Sequence, residues 1–335
     1  MAPSILLVRF SSIGDILLMT PLIRALRTRH PEARITVVTR DRFAPLLAQS
    51  PRITEVIGWS ETTPIRELGR RLKAMEFTHR LDTHGSLRSL LLRRLVGGRW
   101  TSYPKNRLAR TVLIKTKKNI YRDTRHVVER YFDAARDLDV TLDTGSLEMF
   151  VSHASIDEAN AFLAAQAIGT ERQLIALAPG AAHFTKRWPL HHWTALVQRL
   201  VEAGNDIVVV GGTKEREVAA SMESAALGRA VSAAGRFDLA GTGALLKRAR
   251  ALIAGDTGVM HMATAVGTPV VTMLGPTVQA FGFYPYHAKA TVVERPLLCR
   301  PCSANGGPAC PLKHHRCMQD LQPDMILDAL RKLPR

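Results

Sequence analysis

The feature that most constrains this chain is a rhythm of short strands and helices that runs, pauses and starts again. In the first half, a short β-branched and apolar run at residues 5–8 and further strands expected at 34–39, 56–59 and 79–82 alternate with helical stretches, the first of them amphipathic to Arg29 and stopped by Pro31. Helical patterning over 125–138 closes this half. The rhythm resumes with strands expected at 174–178, 206–210, 251–254 and 269–274, and helices expected at 193–203, 215–226, 244–249 and 259–266. Strands that alternate with helices imply a parallel sheet covered on both faces. The expected fold is therefore α/β: two Rossmann-like doubly wound domains facing a cleft, with ligands at the carboxyl ends of the strands. Residues 141–172 have mixed character, with a helix-like run at 157–166, and hold the expected linker. The domains are placed at 1–155 and 156–335. A chain of 335 residues that is 46% apolar has the material for two such cores.

The apolar run at 5–8 is broken by Arg9, and no stretch approaches the ~18 apolar residues of a spanning helix. The N-terminus also fails as a signal peptide. A soluble cytoplasmic protein is expected, one that can touch a membrane surface. The formal charge of +17 is concentrated: residues 61–136 hold nineteen Lys and Arg against seven Asp and Glu, a surplus of +12. Within it lies the cluster Lys105, Arg107, Arg110, Lys115, Lys117, Lys118, Arg122 and Arg125, with Asp123 as its only acid. Charge alone would suit nucleic acid, anionic lipid or a phosphorylated glycolipid. Only Tyr103 and Tyr121 are near enough to stack on bases, so nucleic acid is not the expected partner. Part of the cluster is expected to hold phosphates, the rest to form solvated helix faces.

Asp15 lies where the first strand hands over to the first helix. A positioned carboxylate there could take the proton of an attacking hydroxyl, although an Asp at a helix start also serves as an N-cap. The second half repeats the theme more fully. Gly180-Ala181-Ala182 follows a strand, Lys186-Arg187-Trp188-Pro189 precedes a helix, and Gly255-Asp256-Thr257-Gly258 joins another strand to another helix. Unpaired N–H groups at a helix start, reached past a small residue, can cradle a diphosphate, with Lys186 supplying positive charge. Asp256 suits sugar hydroxyls better than phosphate. No Gly-x-Gly-x-x-Gly follows a strand and no Gly-x-x-x-x-Gly-Lys-Ser/Thr occurs, which removes the usual dinucleotide and P-loop readings.

All four cysteines fall in one stretch, Cys299, Cys302, Cys310 and Cys317, opening with Cys-Arg-Pro-Cys. A four-sulfur structural zinc site is one reading, with His314 and His315 as spare ligands. A disulfide pair or uncoordinated thiols are the others.

Ser12-Ile13-Gly14-Asp15, Pro179-Gly180 through Lys186-x-Trp188-Pro189, Gly255-Asp256-Thr257-Gly258-Val259-Met260-His261, Gly275-Pro276-Thr277 and the Cys310 to Met318 tail together resemble glycosyltransferase family 9, whose best known members are ADP-heptose:lipopolysaccharide heptosyltransferases. The resemblance implies a glycosyltransferase B type fold, inverting transfer of heptose from ADP-heptose to an acidic lipopolysaccharide inner core, and no metal or other cofactor at the reaction centre. It makes Asp15 the catalytic base. It assigns donor binding to Gly14, Lys186, Asp256, Thr257, Gly258 and His261, with Glu215 or Glu217 on the ribose. The acceptor is assigned to Arg88, Lys105, Arg107 and Arg110. Such an acceptor implies transient docking at the cytoplasmic face of the inner membrane. A related transferase using another nucleotide sugar and a basic nucleic-acid-binding protein are the alternatives.

Overall fold

The computed structural model describes residues 2–334 as two compact units, each with its own parallel sheet. Among the described residues the first comprises 2–105 and 125–150, the second 106–124 and 151–334. The first unit holds β1 (Ser4–Val8), β2 (Arg34–Arg40), β3 (Glu55–Trp59), β4 (His79–Asp82) and β5 (Thr101–Ser102); the second holds β6 (Leu174–Ala178), β7 (Asp206–Val209), β8 (Ala230–Ser232), β9 (Ala251–Gly255), β10 (Val270–Leu274) and β11 (Ala290–Glu294).

Strand order in the first sheet is β3-β2-β1-β4-β5, and in the second β11-β10-β9-β6-β7-β8, every pairing parallel. Both are doubly wound. The order reverses between β1 and β4 in one sheet and between β6 and β9 in the other, and such a reversal opens a crevice at the carboxyl ends of the strands. The central strands earn their place through unbroken apolar runs: β6, β9 and β10 are buried at every residue, as a sheet covered on both faces demands. One core packs Leu6, Val8, Phe10, Val38 and Ile57 against Leu68, Leu72 and Leu92; the other packs Ile175, Leu177, Ile253 and Val271 against Trp188, Trp193 and Leu196.

Three expectations change. The boundary falls at 150/151, and the stretch before it is pinned to the first unit by Arg24 on Asp143 at 2.6 Å and Arg29 on Asp139 at 2.8 Å. Residues 106–124, expected in the first domain, pack with the second unit. The helix expected over 125–138 is a short α-helix, Val127–Tyr131, continued by a 3-10 turn, Phe132–Ala135. No helix among the described residues is long and apolar enough to cross a membrane.

Candidate functional site

At the reversal point of the first sheet, β1 runs through Arg9 and Phe10 into the helix Ile13–Leu17. Asp15 is the third residue of this helix rather than its cap. Its Oδ2 accepts from the Ser12 backbone N–H at 3.1 Å and from the Ser12 hydroxyl at 2.8 Å. Its Oδ1 lies 2.5 Å from Arg9 Nη2, with the Asp15 side chain still 21% exposed. Burial alone would push this carboxyl up; the Arg9 charge and the Ser12 hydrogen bonds outweigh it and hold Asp15 below the usual carboxylate range. Arg9, nearly buried, donates further to the carbonyls of Ser11 at 2.7 Å and of Thr83. Because Thr83 follows β4, Arg9 ties together the two loops that flank the crevice.

His84 sits in the second of these loops, edge-on to Phe10 with ring centroids 5.2 Å apart. Burial, then the charges of Arg9 and Lys105, lower its pKa to about 4, so the imidazole is neutral near pH 7. Lys105 donates to the carbonyls of His84 and Gly85, the second at 3.2 Å. Gly85 has φ +55°, and a Cβ there would meet Lys105 Cε at 2.8 Å, so this turn needs glycine. Lys105, assigned to the acceptor from sequence, is thus engaged in shaping the loop. Arg88 is exposed on the helix Leu87–Val96, and Gly14 is buried in the Asp15 helix.

The other sequence-assigned cations divide. Arg107 and Arg110 lie on the helix Arg107–Thr116 of the second unit, where Arg110 stands 5.6 Å from the ring centre of Phe281 and 5.9 Å from that of Phe283. Lys117 donates to the Pro301 carbonyl at 2.6 Å, and Arg125 pairs with Asp133 at 2.8 Å. The basic cluster is therefore not one continuous free strip.

At the reversal point of the second sheet, the loops after β6 and β9 bring Lys186 Nζ within 2.7 Å of Asp256 Oδ2, both side chains mostly buried. Thr277 Oγ1 donates to the same Asp256 oxygen at 2.7 Å. The approach of the two loops is close: a Cβ on Gly255 would lie 3.0 Å from the Lys186 carbonyl. Thr257 flanks the start of the helix Gly258–Ala265, and its buried hydroxyl has no hydrogen-bond partner among the described residues. His261 is buried one turn into that helix. An orphaned hydroxyl beside a lysine at a helix start is a cradle for an anion.

The structure separates Glu215 from Glu217. Glu215 folds back against the ends of β6 and β7: Oε2 accepts from the Gly212 N–H at 2.9 Å, and a Cβ on Gly180 would lie 2.6 Å from its Cγ. Glu217 is exposed on the next helix, Arg216–Ser224.

The Cys-rich segment is tied by hydrogen bonds to the loops of the second sheet. Among the described residues no group of three His, Cys, Asp or Glu is arranged to hold a metal ion, and all four cysteines are free. Cys317 belongs to the helix Arg316–Gln319 and packs into the apolar core, while the other three are half-exposed in the preceding loop. Burial, then the nearby Cys302, pushes the Cys317 thiol up to about 12. Hydrogen bonds order the segment. Arg300 donates to the carbonyls of Gly275 at 2.5 Å, Arg295 at 2.6 Å and Thr277 at 2.8 Å, and pairs with Glu294 at 2.6 Å. The Thr185 hydroxyl accepts from the Gly307 N–H at 2.8 Å, the His315 ring nitrogen lies 3.0 Å from the Thr185 carbonyl, and Trp188 Nε1 donates to the Leu321 carbonyl at 2.8 Å. The tail therefore fixes the loop that carries Lys186 and the loop that carries Thr277. Sequence reasoning did not single out Arg9, His84 or Arg300; each is an ordinary-looking residue whose partners lie on other loops.

The family model for glycosyltransferase family 9 (heptosyltransferase) matches residues 65–312. The chain belongs to this family. As a family 9 glycosyltransferase it is an enzyme, and it is similar over nearly its whole length to curated heptosyltransferases. Lipooligosaccharide heptosyltransferase 2 of Haemophilus influenzae is 25% identical, with 98% of this chain and 99% of the relative aligned. Among solved structures, the ADP-heptose lps heptosyltransferase II of E. coli superposes with a TM-score of 0.76 at 25% identity, covering 98% of this chain and 97% of that one. A family 9 glycosyl transferase from Veillonella parvula DSM 2008 gives 0.81 at 22% identity, covering 98% and 96%, and matches in fold.

Proposed function

We propose that this family 9 transferase moves heptose from ADP-heptose onto a hydroxyl of the acidic inner core of lipopolysaccharide, with inversion at the anomeric carbon. The observation that carries this reading is the cradle at the reversal point of the second sheet, where Lys186, Asp256 and the unpartnered Thr257 hydroxyl converge. The names of the relatives above supply the nucleotide and the sugar. In this reading the diphosphate rests on the Thr257 hydroxyl, the helix start at Gly258 and Lys186, which exchanges its pairing with Asp256 for the phosphates. Asp256 is then free to accept from sugar hydroxyls. Glu215, held at the ends of β6 and β7, takes the ribose in preference to Glu217.

Asp15 completes the reaction. Its carboxylate takes the proton of the acceptor hydroxyl as that oxygen bonds to the anomeric carbon, while the bond from that carbon to the β-phosphate oxygen breaks and ADP departs. Being held ionised by Arg9, Asp15 is ready as a base across the physiological range, at the cost of weak basicity. The neutral His84 nearby adds no competing charge.

The acceptor side is supported by exposed apolar surface as well as by charge. Leu87, Leu90 and Leu91 are 87%, 48% and 46% exposed on one helix beside Arg88 and Arg94, a composition suited to an anionic lipid surface. This supports transient docking at the cytoplasmic face of the inner membrane, where a lipid-anchored acceptor is presented. The test is direct: purified protein mixed with ADP-heptose and a Kdo-lipid A acceptor should release ADP, and UDP-sugars should not substitute. Equal turnover with UDP-sugars would assign the chain to another donor.

A further inference from the structure

β2 ends at Arg40, whose backbone N–H bonds the Phe10 carbonyl at 3.2 Å on the stretch that leads to Ser12 and Asp15. The Arg40 guanidinium lies 4.0 Å over the Trp59 ring, and its side chain is 6% exposed. Its Nη1 is buried without a hydrogen-bond partner. Arg88 stands 5.9 Å from the same indole, and Arg42 stands over Phe43 next door. Among the described residues, the one carboxylate paired with these cations is Glu61, 3.7 Å from Arg40 Nη2 and 3.9 Å from Arg42 Nη2, and 63% exposed. Those separations exceed hydrogen-bond length, so Glu61 supplies charge without directed bonds. The only other acid nearby, Asp41, is turned to the Arg42 backbone N–H at 2.7 Å.

A guanidinium taken out of water is costly unless its donors are met. The indole recovers part of that cost through its ring face. The remainder is unmet. Burial, then Arg88 and Arg42, pull the Arg40 pKa down, against Glu61 and Asp41. A buried guanidinium with an unmet donor, flanked by Arg42 and Arg88 and facing one loosely held carboxylate, describes a site shaped for an incoming oxyanion, in which Glu61 is a placeholder.

We propose that Arg40, with Arg42 and Arg88, forms an anion subsite at the carboxyl edge of the first sheet that binds a phosphate or carboxylate group of the glycolipid acceptor and displaces Glu61. This rests on the reading of the chain as an acceptor-using transferase, and it assigns to Arg40 and Arg42 a role in acceptor selection.

Steady-state kinetics on Arg40→Gln, Arg88→Gln and Glu61→Gln in the full-length protein, varying each substrate in turn, tests it. The arginine variants should raise the acceptor KM ten-fold or more while kcat at saturating acceptor and the ADP-heptose KM stay within two-fold. Glu61→Gln should lower the acceptor KM. Repeating the series with a dephosphorylated acceptor separates the sources: the difference between wild type and Arg40→Gln vanishes if the group is phosphate and persists if it is carboxylate. An acceptor KM unchanged in both arginine variants and in Glu61→Gln overturns the proposal, as does a parallel rise in both KM values. Equilibrium binding provides a readout independent of turnover: Arg40→Gln should weaken binding to phosphorylated glycolipid micelles and not to phosphatidylglycerol vesicles. Equal loss on both makes the cluster a membrane contact and sinks the subsite. Should wild type bind the glycolipid through Arg40 yet transfer no heptose, the subsite stands and the donor assignment fails.

Discussion

Asp15 is held by the Arg9 charge and by the backbone N–H and hydroxyl of Ser12, so its behaviour with pH follows from its neighbours. Its pKa is held below the ordinary ~3.9 of an aspartate, so the carboxylate stays ionised as pH falls from 7 towards 5, and kcat/KM should show no acid limb from this group over that range. Arg9→Met removes the charge that outweighs burial; the carboxyl then titrates higher and an acid limb should enter the profile from below. The stability linkage has the same sign: a depressed folded pKa means the Arg9–Asp15 pair contributes fully above the unfolded value of ~3.9 and is lost as pH drops through the folded one. Asp15→Asn should cut kcat by roughly 100- to 10,000-fold while ADP binding, read by calorimetry, is unchanged. It should also lower the melting point, since Arg9 keeps its carbonyl partners but loses its counter-charge. Asp15 was legible because a carboxylate after a strand is a local pattern. Arg9, one residue past the same strand, was read only as the break in an apolar run, because its partner Thr83 comes from β4 and no local spacing announces that pairing.

The elements carry predictions of their own. Thr257 caps its helix by position but not by hydrogen bond, so its hydroxyl is the cradle's unspent group. Thr257→Val should raise the donor KM about ten-fold, the loss of about 1–1.5 kcal/mol for one hydrogen bond, and leave the melting point unchanged or slightly higher, because an unsatisfied buried hydroxyl is removed. The helix Leu87–Val96 presents its leucines to solvent beside arginines; replacing Leu87, Leu90 and Leu91 together by Ser should reduce partition onto anionic vesicles several-fold while turnover on a short-chain soluble acceptor is kept. The two sheets were legible in the same uneven way. The central strands other than β4 were read from their apolar runs, whereas β5, β8 and β11 were not read at all, and these three lie at sheet edges with few residues or little burial. An edge strand needs no continuous hydrophobic run, so periodicity carries little trace of it.

At the scale of the whole chain, a single ligand should report on the second sheet's competence. ADP at one hundred times its Kd should stabilise the protein by about 2.7 kcal/mol, seen as a rise in melting point, and the rise should shrink in Thr257→Val and Lys186→Ala. No rise at saturating ADP would contradict the cradle. The net charge of +17 makes binding to any anionic surface salt-dependent, so vesicle and acceptor measurements need one ionic strength throughout. The boundary itself was legible to within a few residues, because the rhythm of strands visibly restarts; the excursion of residues 106–124 was not, because a helix reads the same whichever core it packs on. That excursion governs how relatives can be recombined. A hybrid joined by one splice near residue 150 would import a foreign helix Arg107–Thr116 against a native second half, mismatching Arg110 with Phe281 and Phe283. Exchanging the first unit between such enzymes therefore takes three junctions, near 105, 124 and 150, with the intervening stretch left in the recipient's own sequence.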